Sequence, residues 1–171
     1  MFEMEHFVLR QVREEDAEEL LEFFREDLVG WKFFDRANDM LDEMRKCIKS
    51  WLSAYANRTY IRFTAVDKTT GKAIGSIEIY DNIHREKKWK LEAVRHGFVM
   101  HINLALPYET RESIGELLKL ADDKFFRLFG FNHLLIRAVP GANERIAALL
   151  LFGYEPFEWE RGREHYYVKA V

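Results

Sequence analysis

The order in which the spacing of apolar residues changes along the chain is the feature that most constrains the fold. A first helical stripe, with spacing i, i+3, i+4, i+7 and i+11, contains Ala17, Leu20, Leu21, Phe24 and Leu28. A second stripe contains Met40, Met44, Cys47, Ile48, Trp51 and Tyr55. The period then changes to two over residues 60–66 and 73–80, which predicts two β-strands joined by a turn at 68–72. A chain that alternates between these two periods must combine helices with a sheet.

The second half of the chain adds strand–helix–strand units. The predicted elements are a strand over Gly97–Leu106, a helix over Ser113–Phe129, a strand over Leu134–Val139, a helix over Asn143–Phe152 and a closing hairpin formed by 154–159 and 165–169. Together with a first strand at Phe7–Arg10, this order predicts a single α/β domain over residues 1–171, with a mixed sheet and helices on both faces. The crossover from Gly97–Leu106 to Leu134–Val139 predicts at least one parallel pair of strands.

Composition excludes several classes of protein. The 26 Lys and Arg residues against 29 Asp and Glu give a net charge of −3, and hydrophobic residues make up 48% of the chain. These values exclude a disordered tail and a polybasic nucleic-acid arm. No stretch approaches the roughly 18–20 apolar residues of a membrane span, and the N-terminus lacks the pattern of a secretory signal. Cys47 is the single cysteine and lies in the second stripe, so it is interpreted as a small buried hydrophobic residue. A lone cysteine cannot form an internal disulfide, which suits a reducing compartment, so we expect a cytoplasmic protein.

The junction between the strand at 97–106 and the helix that follows it is the candidate ligand site. The first amides of a helix have no partner within the helix, so they favour an anion such as a phosphate. We expect unpaired nitrogens on Arg111, Glu112, Ser113, Ile114 and Gly115. Ser113 is better interpreted as a helix N-cap than as a nucleophile, because position 111 lacks the glycine of a GxSxG elbow. The histidines and Cys47 show no metal-ligand spacing, so no metal site is expected.

Three stretches of the sequence resemble the GNAT superfamily of N-acetyltransferases. They are FVLRQVREEDAEELLEFF at the start, GKAIGSIEIYD in the middle and AVPGANERIAALLLFGYEPF near the end. The opening and the size are similar to the branch of ribosomal-protein N-terminal alanine acetyltransferases. The resemblance spans roughly residues 7–168 and implies a mostly antiparallel central sheet. It also implies acetyl-CoA as co-substrate and a primary amine as acceptor.

The chain departs from this family at two places. The family's pyrophosphate loop reads Gln/Arg-x-x-Gly-x-Gly/Ala, whereas this chain has Thr110 and Ser113 at the first two fixed positions, and only Gly115 matches. A serine side chain is expected to crowd the phosphates, and Glu112 to repel them, while Arg111 offers a compensating charge. The tyrosine that often serves the family as general acid falls on Leu149.

Two residues are candidates for the base that deprotonates the amine. His101 shares a face of the long strand with Asn103 and has an ordinary pKa of about 6.5, although a hydrogen-bonded structural histidine is the alternative. Glu78 is the second candidate, with a plain surface carboxylate as its alternative. Asn143 is interpreted as a helix cap, and the resemblance also implies a coenzyme contact there. We expect the pantetheine arm to lie against the strand end, at Leu104 and Leu106.

The leading hypothesis is a coenzyme-A-dependent N-acyltransferase that moves an acetyl group to a primary amine by direct transfer. The acceptor is a small molecule or a peptide. Its entry to the site is lined by Trp31, Phe33 and Phe34, unless these aromatic residues belong to the core. An acidic N-terminal third suits a cationic acceptor such as a peptide amino terminus or a polyamine. The alternative is a catalytically silent ligand- or protein-binding module whose coenzyme site has eroded. A nucleic-acid binder using residues 85–95 is disfavoured by the net charge. No membrane partner is expected, and a homodimer is compatible with the sequence.

Overall fold

The structure is a computed structural model and describes residues 1–22, 37–57, 60–81, 97–158 and 165–170. Its strands are β1 (Phe2–Glu3), β2 (Phe7–Gln11), β3 (Tyr60–Asp67), β4 (Ala73–Asp81), β5 (Gly97–Leu104), β6 (His133–Arg137), β7 (Glu155–Phe157) and β8 (Tyr166–Ala170). The longest helices described are α1 (Ala37–Ala56), α2 (Arg111–Leu120) and α3 (Asn143–Leu151).

The strands form one sheet in the order β1-β2-β3-β4-β5-β6-β8-β7. The pairs β1–β2, β2–β3, β6–β8 and β7–β8 are antiparallel, and β5–β6 is parallel. The parallel pair arises because the connection from β5 to β6 runs through a helix rather than a tight turn. The predicted fold class, a mixed and mostly antiparallel sheet combined with helices, is therefore confirmed.

The chain divides into two compact units, Met1–Glu78 with Asn103–Ala105, and Ile79–Ile102 with Leu106–Val171. In the first unit the two predicted helical stripes pack together. Their shared core consists of Val12, Ala17, Leu20, Met44 and Ile48, all buried. Burying these side chains stabilises the unit. Two members of the second stripe are less buried than the pattern indicates, since Cys47 is half-buried and Tyr55 is exposed.

The buried carboxylate of Asp16 stabilises the start of the helical segment that follows β2. Asp16 accepts two hydrogen bonds from the Arg10 guanidinium, at 2.8 and 2.6 Å, and one from the Thr64 hydroxyl at 2.6 Å. It also accepts one from the backbone amide of Arg13 at 3.0 Å, which satisfies an amide at the start of the helical turn. Every oxygen of this charge is thus compensated inside the first unit.

The backbones of β4 and β5 approach each other closely at Gly75 and Asn103. Gly75 has a φ of +157°, and a Cβ built on it would lie 2.1 Å from the carbonyl oxygen of Asn103. Just beyond, the amide of Ala105 donates to the carbonyl of Ile74 at 2.8 Å. Only glycine fits at position 75, because any side chain would collide with backbone atoms that cannot rotate away.

In the second unit, the helical segment that begins with α2 changes from an α-helical to a π-helical hydrogen-bond pattern part-way along. Ile114, Leu117, Leu118, Ala121 and Phe125 are fully buried, as the stripe predicts. A π-helical turn at Ala121–Phe125 then adds residues to the turn, and the helix continues through Phe126–Phe129 to Gly130, which has a φ of +67°. The prediction that Leu128 belongs to the stripe is wrong. The wider turn rotates the last turn of the helix, so Phe126 is buried and Leu128 is 57% exposed.

Several predicted boundaries and caps also differ from the structure. β5 ends at Leu104 rather than Leu106, and a 3-10 turn over Leu106–Tyr108 follows it. The interpretation of Ser113 as N-cap is wrong, since Thr110 caps α2 and the helix begins at Arg111. Asn143 is not a cap either, because Ala142 holds that position. β1 has only two residues, too few to produce a periodic signal in the sequence.

Some expectations lie outside the described residues. They concern Phe24, Leu28, Trp31, Phe33, Phe34, the basic segment at 84–96 and the turn at 160–163. Within the ranges that are described, every helix is too short or too polar to cross a membrane.

Candidate functional site

The pairing of β5 with β6 ends within the second unit. Its register runs from Gly97 opposite His133 to Met100 opposite Ile136, and β6 ends one residue later at Arg137. β5 continues to Leu104, so it extends past the end of β6 from Ile102 onward, and His101 is the first residue after the last pair. In α/β sheets, ligands bind outside the carboxyl ends of parallel strands. The coenzyme arm is predicted from the sequence to lie at this strand end.

The N-terminus of α2, the expected phosphate site, already has partners for three of its amides. The amide of Ser113 donates to Thr110 Oγ1 at 3.2 Å, and the amide of Ile114 donates to the Thr110 carbonyl at 3.0 Å. The amide of Arg111 donates to Glu144 Oε2 at 3.3 Å. The expectation of unpaired nitrogens at Arg111, Ser113 and Ile114 is therefore wrong for this structure, because a threonine cap and a carboxylate from α3 take them.

The side chains at this N-terminus point in different directions. Ser113 is buried, and Thr110 Oγ1 lies 3.3 Å from its hydroxyl oxygen, so this side chain turns into the protein. Glu112 and Asn143 are exposed to solvent. Gly115 serves packing between α2 and the end of α3, since a Cβ there would lie 3.4 Å from the ring of Phe152.

Two ion pairs join the start of α2 to the start of α3. Arg145 forms a two-pronged pair with the carboxylate of Glu109, in which Nε lies 3.2 Å from Oε2, and its Nη1 donates to the Arg137 carbonyl. Arg111 and Glu144 form the second pair, with Nε and Oε2 3.8 Å apart and both side chains about half exposed. The Glu144 carboxylate thus brings a negative charge to the positive end of the α2 dipole, the place where a phosphate would bind.

His101 is paired with a tyrosine from β4. The hydroxyl oxygen of Tyr80 and Nε2 of His101 lie 3.3 Å apart. The two rings meet edge to face, with centroids 5.4 Å apart and planes at 88°. Tyr80 is buried and His101 is half-buried. His101 is therefore held by a hydrogen bond and keeps partial access to solvent.

Glu78 lies in a buried network of the first unit. Its Oε2 accepts a hydrogen bond from the Tyr60 hydroxyl at 2.5 Å and forms an ion pair with Arg62. Arg62 also donates from Nε to the Tyr60 oxygen at 2.7 Å and from Nη1 to Ser76 Oγ at 3.1 Å. The guanidinium carbon lies 3.8 Å from the centre of the Trp51 ring. The interpretation of Glu78 as a surface carboxylate is wrong, because only 6% of it is exposed.

This network changes the chemistry available to both acids in it. Burial, with the neighbouring Glu78 charge, raises the pKa of Tyr60 although Arg62 opposes the shift. The Arg62 guanidinium and the Tyr60 hydroxyl both contact Oε2 of Glu78, so this oxygen is already engaged within the protein. Sequence reasoning missed Tyr60 and Arg62. Their alternation on β3 does put them on one face, which is the signal that would have found them.

The remaining predicted positions differ in their exposure to solvent. Leu104 is buried and Leu106 is 86% exposed. Leu149, which occupies the place of the family's tyrosine, is fully buried.

A comparison with protein families decides the classification. The family described as acetyltransferase (GNAT) domain matches residues 6–153. The chain belongs to the GNAT acetyltransferase family. The resemblance predicted from the sequence is confirmed, and this GNAT domain is an N-acetyltransferase by family.

Solved structures have the same fold at low sequence identity. A nucleotide-linked sugar GNAT, FdhC, matches at 15% identity with a TM-score of 0.71, covering 99% of this chain and 89% of that one. The ribosomal-protein-S5-alanine acetyltransferase from Vibrio fischeri matches at 17% identity with a TM-score of 0.68, covering 99% of this chain and 95% of that one. AAC(6')-Ib in complex with ribostamycin and coenzyme A matches at 18% identity with a TM-score of 0.70, covering 97% of this chain and 94% of that one. Among curated protein sequences, none matches this GNAT domain significantly.

Proposed function

We propose that this GNAT domain transfers an acetyl group from acetyl-CoA to a primary amine by direct transfer. The observation that carries the proposal is the end of the β5–β6 pairing at Met100, one residue before His101. An extended pantetheine arm binds such a strand edge as an added strand does, through backbone hydrogen bonds. Family membership supports the reaction class, and the strand end is the place that we propose for the arm.

The proposed coenzyme residues fit an anionic ligand in part. The α2 N-terminus and the Arg111 guanidinium favour the pyrophosphate, which we assign to the amides from Arg111 to Gly115 with Asn143 nearby. Glu112 and Glu144 oppose it by their charge, so Glu144 must leave the Arg111 amide when the coenzyme binds. Leu104 and Leu106 remain the proposed contacts of the pantetheine arm.

The co-substrate supplies an activated acetyl thioester, and the chain's own residues handle the protons. The acceptor ammonium must first lose a proton, which we assign to His101, with Glu78 as the second candidate. The nitrogen then bonds to the acetyl carbon as the carbon–sulfur bond breaks, and it loses its second proton. One proton ends on the sulfur as a thiol, and the other reaches solvent through His101. Because Leu149 is aliphatic, the proton for the sulfur does not come from that position.

The acceptor class follows from charge. Between residues 3 and 27 the sequence has ten acidic side chains and three arginines, which attract a cation. We therefore propose a cationic acceptor such as a peptide amino terminus or a polyamine. Among the similar structures are a ribosomal-protein acetyltransferase and an enzyme bound to ribostamycin, so an aminoglycoside belongs in the same panel of test substrates.

Coenzyme binding is tested first, by thermal denaturation and calorimetry with acetyl-CoA. At about 100 times the dissociation constant, the ligand should stabilise the folded state by about 2.7 kcal/mol. Arg111→Glu should weaken binding about tenfold, since it replaces a charge-assisted contact by a repulsive one. Lys119→Glu makes the same charge change on an exposed residue at the other end of α2 and should have little effect. The absence of any shift at millimolar acetyl-CoA would favour the silent module.

Transfer is then measured by mass spectrometry of the acceptor panel. The acid limb of the pH–rate profile should report protonation of the base. His101→Ala should remove this limb, whereas Glu78→Gln should leave it in place. An acid limb that is unchanged in His101→Ala clears His101 of the role of base.

A further inference from the structure

We propose that Tyr80 is the positioning residue of His101, with its hydroxyl oxygen accepting a hydrogen bond from Nε2–H. In this arrangement the imidazole is held with Nε2 protonated, so Nδ1 is the nitrogen that takes up and releases the proton. The inference rests on the proposed function only in making His101 the base of the transfer reaction. The hydrogen bond itself is a property of the protein without ligands.

The geometry of the pair supports this role. The two polar atoms lie 3.3 Å apart, which is within reach of a hydrogen bond, and the perpendicular rings fix the plane of the imidazole. Both residues belong to the second unit, and His101 follows Met100, the last residue of β5 that is paired with β6. A base must be held in place by a neighbour if its proton transfer is to be efficient, because a freely rotating imidazole is seldom aligned with the proton that it takes.

The hydrogen bond also favours the charged product of the proton transfer. The imidazole ring has two nitrogens, and the bond made by one decides which proton the other exchanges. When Nδ1 takes the ammonium proton, the ring becomes an imidazolium that donates from both nitrogens. The Tyr80 oxygen is then a partner for the donor on Nε2, so the new charge is not left without an acceptor on that side. The proton later leaves Nδ1 for solvent, and the Tyr80 hydroxyl keeps its own proton throughout.

A second buried tyrosine shows that burial of the hydroxyl alone does not produce such a bond. The hydroxyl of Tyr154 is buried in the same unit, and the described residues offer it no hydrogen-bond partner.

The first test uses the unmodified protein without ligand. Nitrogen-15 NMR of the histidine rings distinguishes the two neutral tautomers of His101, after assignment with His101→Gln. We expect the form protonated on Nε2. A neutral ring protonated on Nδ1 would overturn the proposal, because the Tyr80 hydroxyl would then have to be the donor.

The second test removes the hydroxyl and keeps the ring, in Tyr80→Phe, with Tyr154→Phe as the matched control. The pKa of His101, followed by NMR in the ligand-free protein, should fall by about half a unit to one unit in Tyr80→Phe and stay unchanged in the control. In the transfer assay the acid limb should move to lower pH by the same amount, and kcat should fall about three- to tenfold with little change in KM for acetyl-CoA.

The two readouts separate this inference from the proposed function. A His101 pKa that is the same in Tyr80→Phe and in the unmodified protein refutes the positioning role even where acetyl transfer is observed. If no acceptor is acetylated, the proposed function fails, while the tautomer and the pKa still decide whether Tyr80 holds His101. Should Tyr80→Phe fail to fold, the tautomer measured in the unmodified protein decides the question alone.

Discussion

The carboxylate of Glu144 accepts a hydrogen bond from the backbone amide of Arg111, with the two atoms 3.3 Å apart. The acceptor stands at the start of α3 and the donor at the start of α2, 33 positions earlier in the chain. A carboxylate at a helix N-terminus is stabilised by the helix dipole, as a phosphate would be. A side chain of the protein therefore occupies the proposed anion site in this structure.

Replacing Glu144 should strengthen coenzyme binding. In Glu144→Gln the negative charge that competes for the Arg111 amide is lost, and Arg111 is released to the ligand. Because both side chains are about half exposed, we expect a modest gain, about two- to fivefold in affinity for coenzyme A by titration calorimetry. Glu155→Gln, the same change at an exposed site on β7, should leave the affinity unchanged. Weaker binding by Glu144→Gln would contradict the proposed position of the pyrophosphate.

Adding a methyl group at Gly75 should destabilise the first unit. The new Cβ of Gly75→Ala would lie 2.1 Å from the Asn103 carbonyl oxygen and 2.9 Å from the Leu104 Cα, so the strands must separate. We expect a loss of about 2–3 kcal/mol in the free energy of unfolding, measured by urea denaturation. Gly71→Ala, at a φ of +71° with open space around it, should lose only about 1 kcal/mol from backbone strain. Equal losses in the two variants would show that the close approach is relaxed in solution.

The buried carboxylate of Asp16 should give stability a specific dependence on pH. Desolvation acts to raise the pKa of Asp16, but hydrogen bonds from Arg10, Thr64 and the Arg13 amide outweigh it, and the pKa lies below its ordinary value of 3.8. A depressed folded-state pKa means that the contribution is complete above the unfolded-state pKa and is lost as the pH falls through the folded-state value.

Asp16→Asn is therefore expected to lower the free energy of unfolding by about 2–3 kcal/mol at pH 7. The difference from the unmodified protein should shrink only below about pH 4, in denaturation curves recorded from pH 7 to pH 2. Asp42→Asn removes an exposed partner of Arg45 on α1 and should change stability by less than about 0.5 kcal/mol. A difference that persists undiminished at pH 2 would argue against ionisation of Asp16 as the cause.

Removing the hydroxyl of Tyr154 should stabilise the protein. This hydroxyl is buried without a hydrogen-bond partner among the described residues, and burial raises its pKa, so it stays neutral. Tyr154→Phe should gain about 1 kcal/mol, seen as a higher Tm, because a desolvated donor is removed while the ring is kept. Tyr60→Phe should have the opposite effect, since its hydroxyl bridges Arg62 and Glu78. A lower Tm in Tyr154→Phe would indicate a partner for that hydroxyl in solution.

The sequence by itself determined the kinds of element, their order, the parallel crossover and the family. These follow from periodicity along the chain and from motifs whose residues lie close together in it, such as the apolar stripe of α2 and Gly130 at its end. One local feature could not be predicted in this way, because the π-helical turn that exposes Leu128 has no pattern of its own in the sequence.

Only the tertiary structure decided which groups meet at the candidate site. Arg111 and Glu144, Tyr80 and His101, and Arg62 and Glu78 are 33, 21 and 16 positions apart, respectively. Whether such pairs form depends on strand register and on the angles at which helices pack, and periodicity contains neither. For that reason the sequence identified Glu78 and the α2 amides as candidates but assigned them the wrong surroundings: the carboxylate is buried in an ion pair, and the amides of Arg111 and Ser113 are already satisfied.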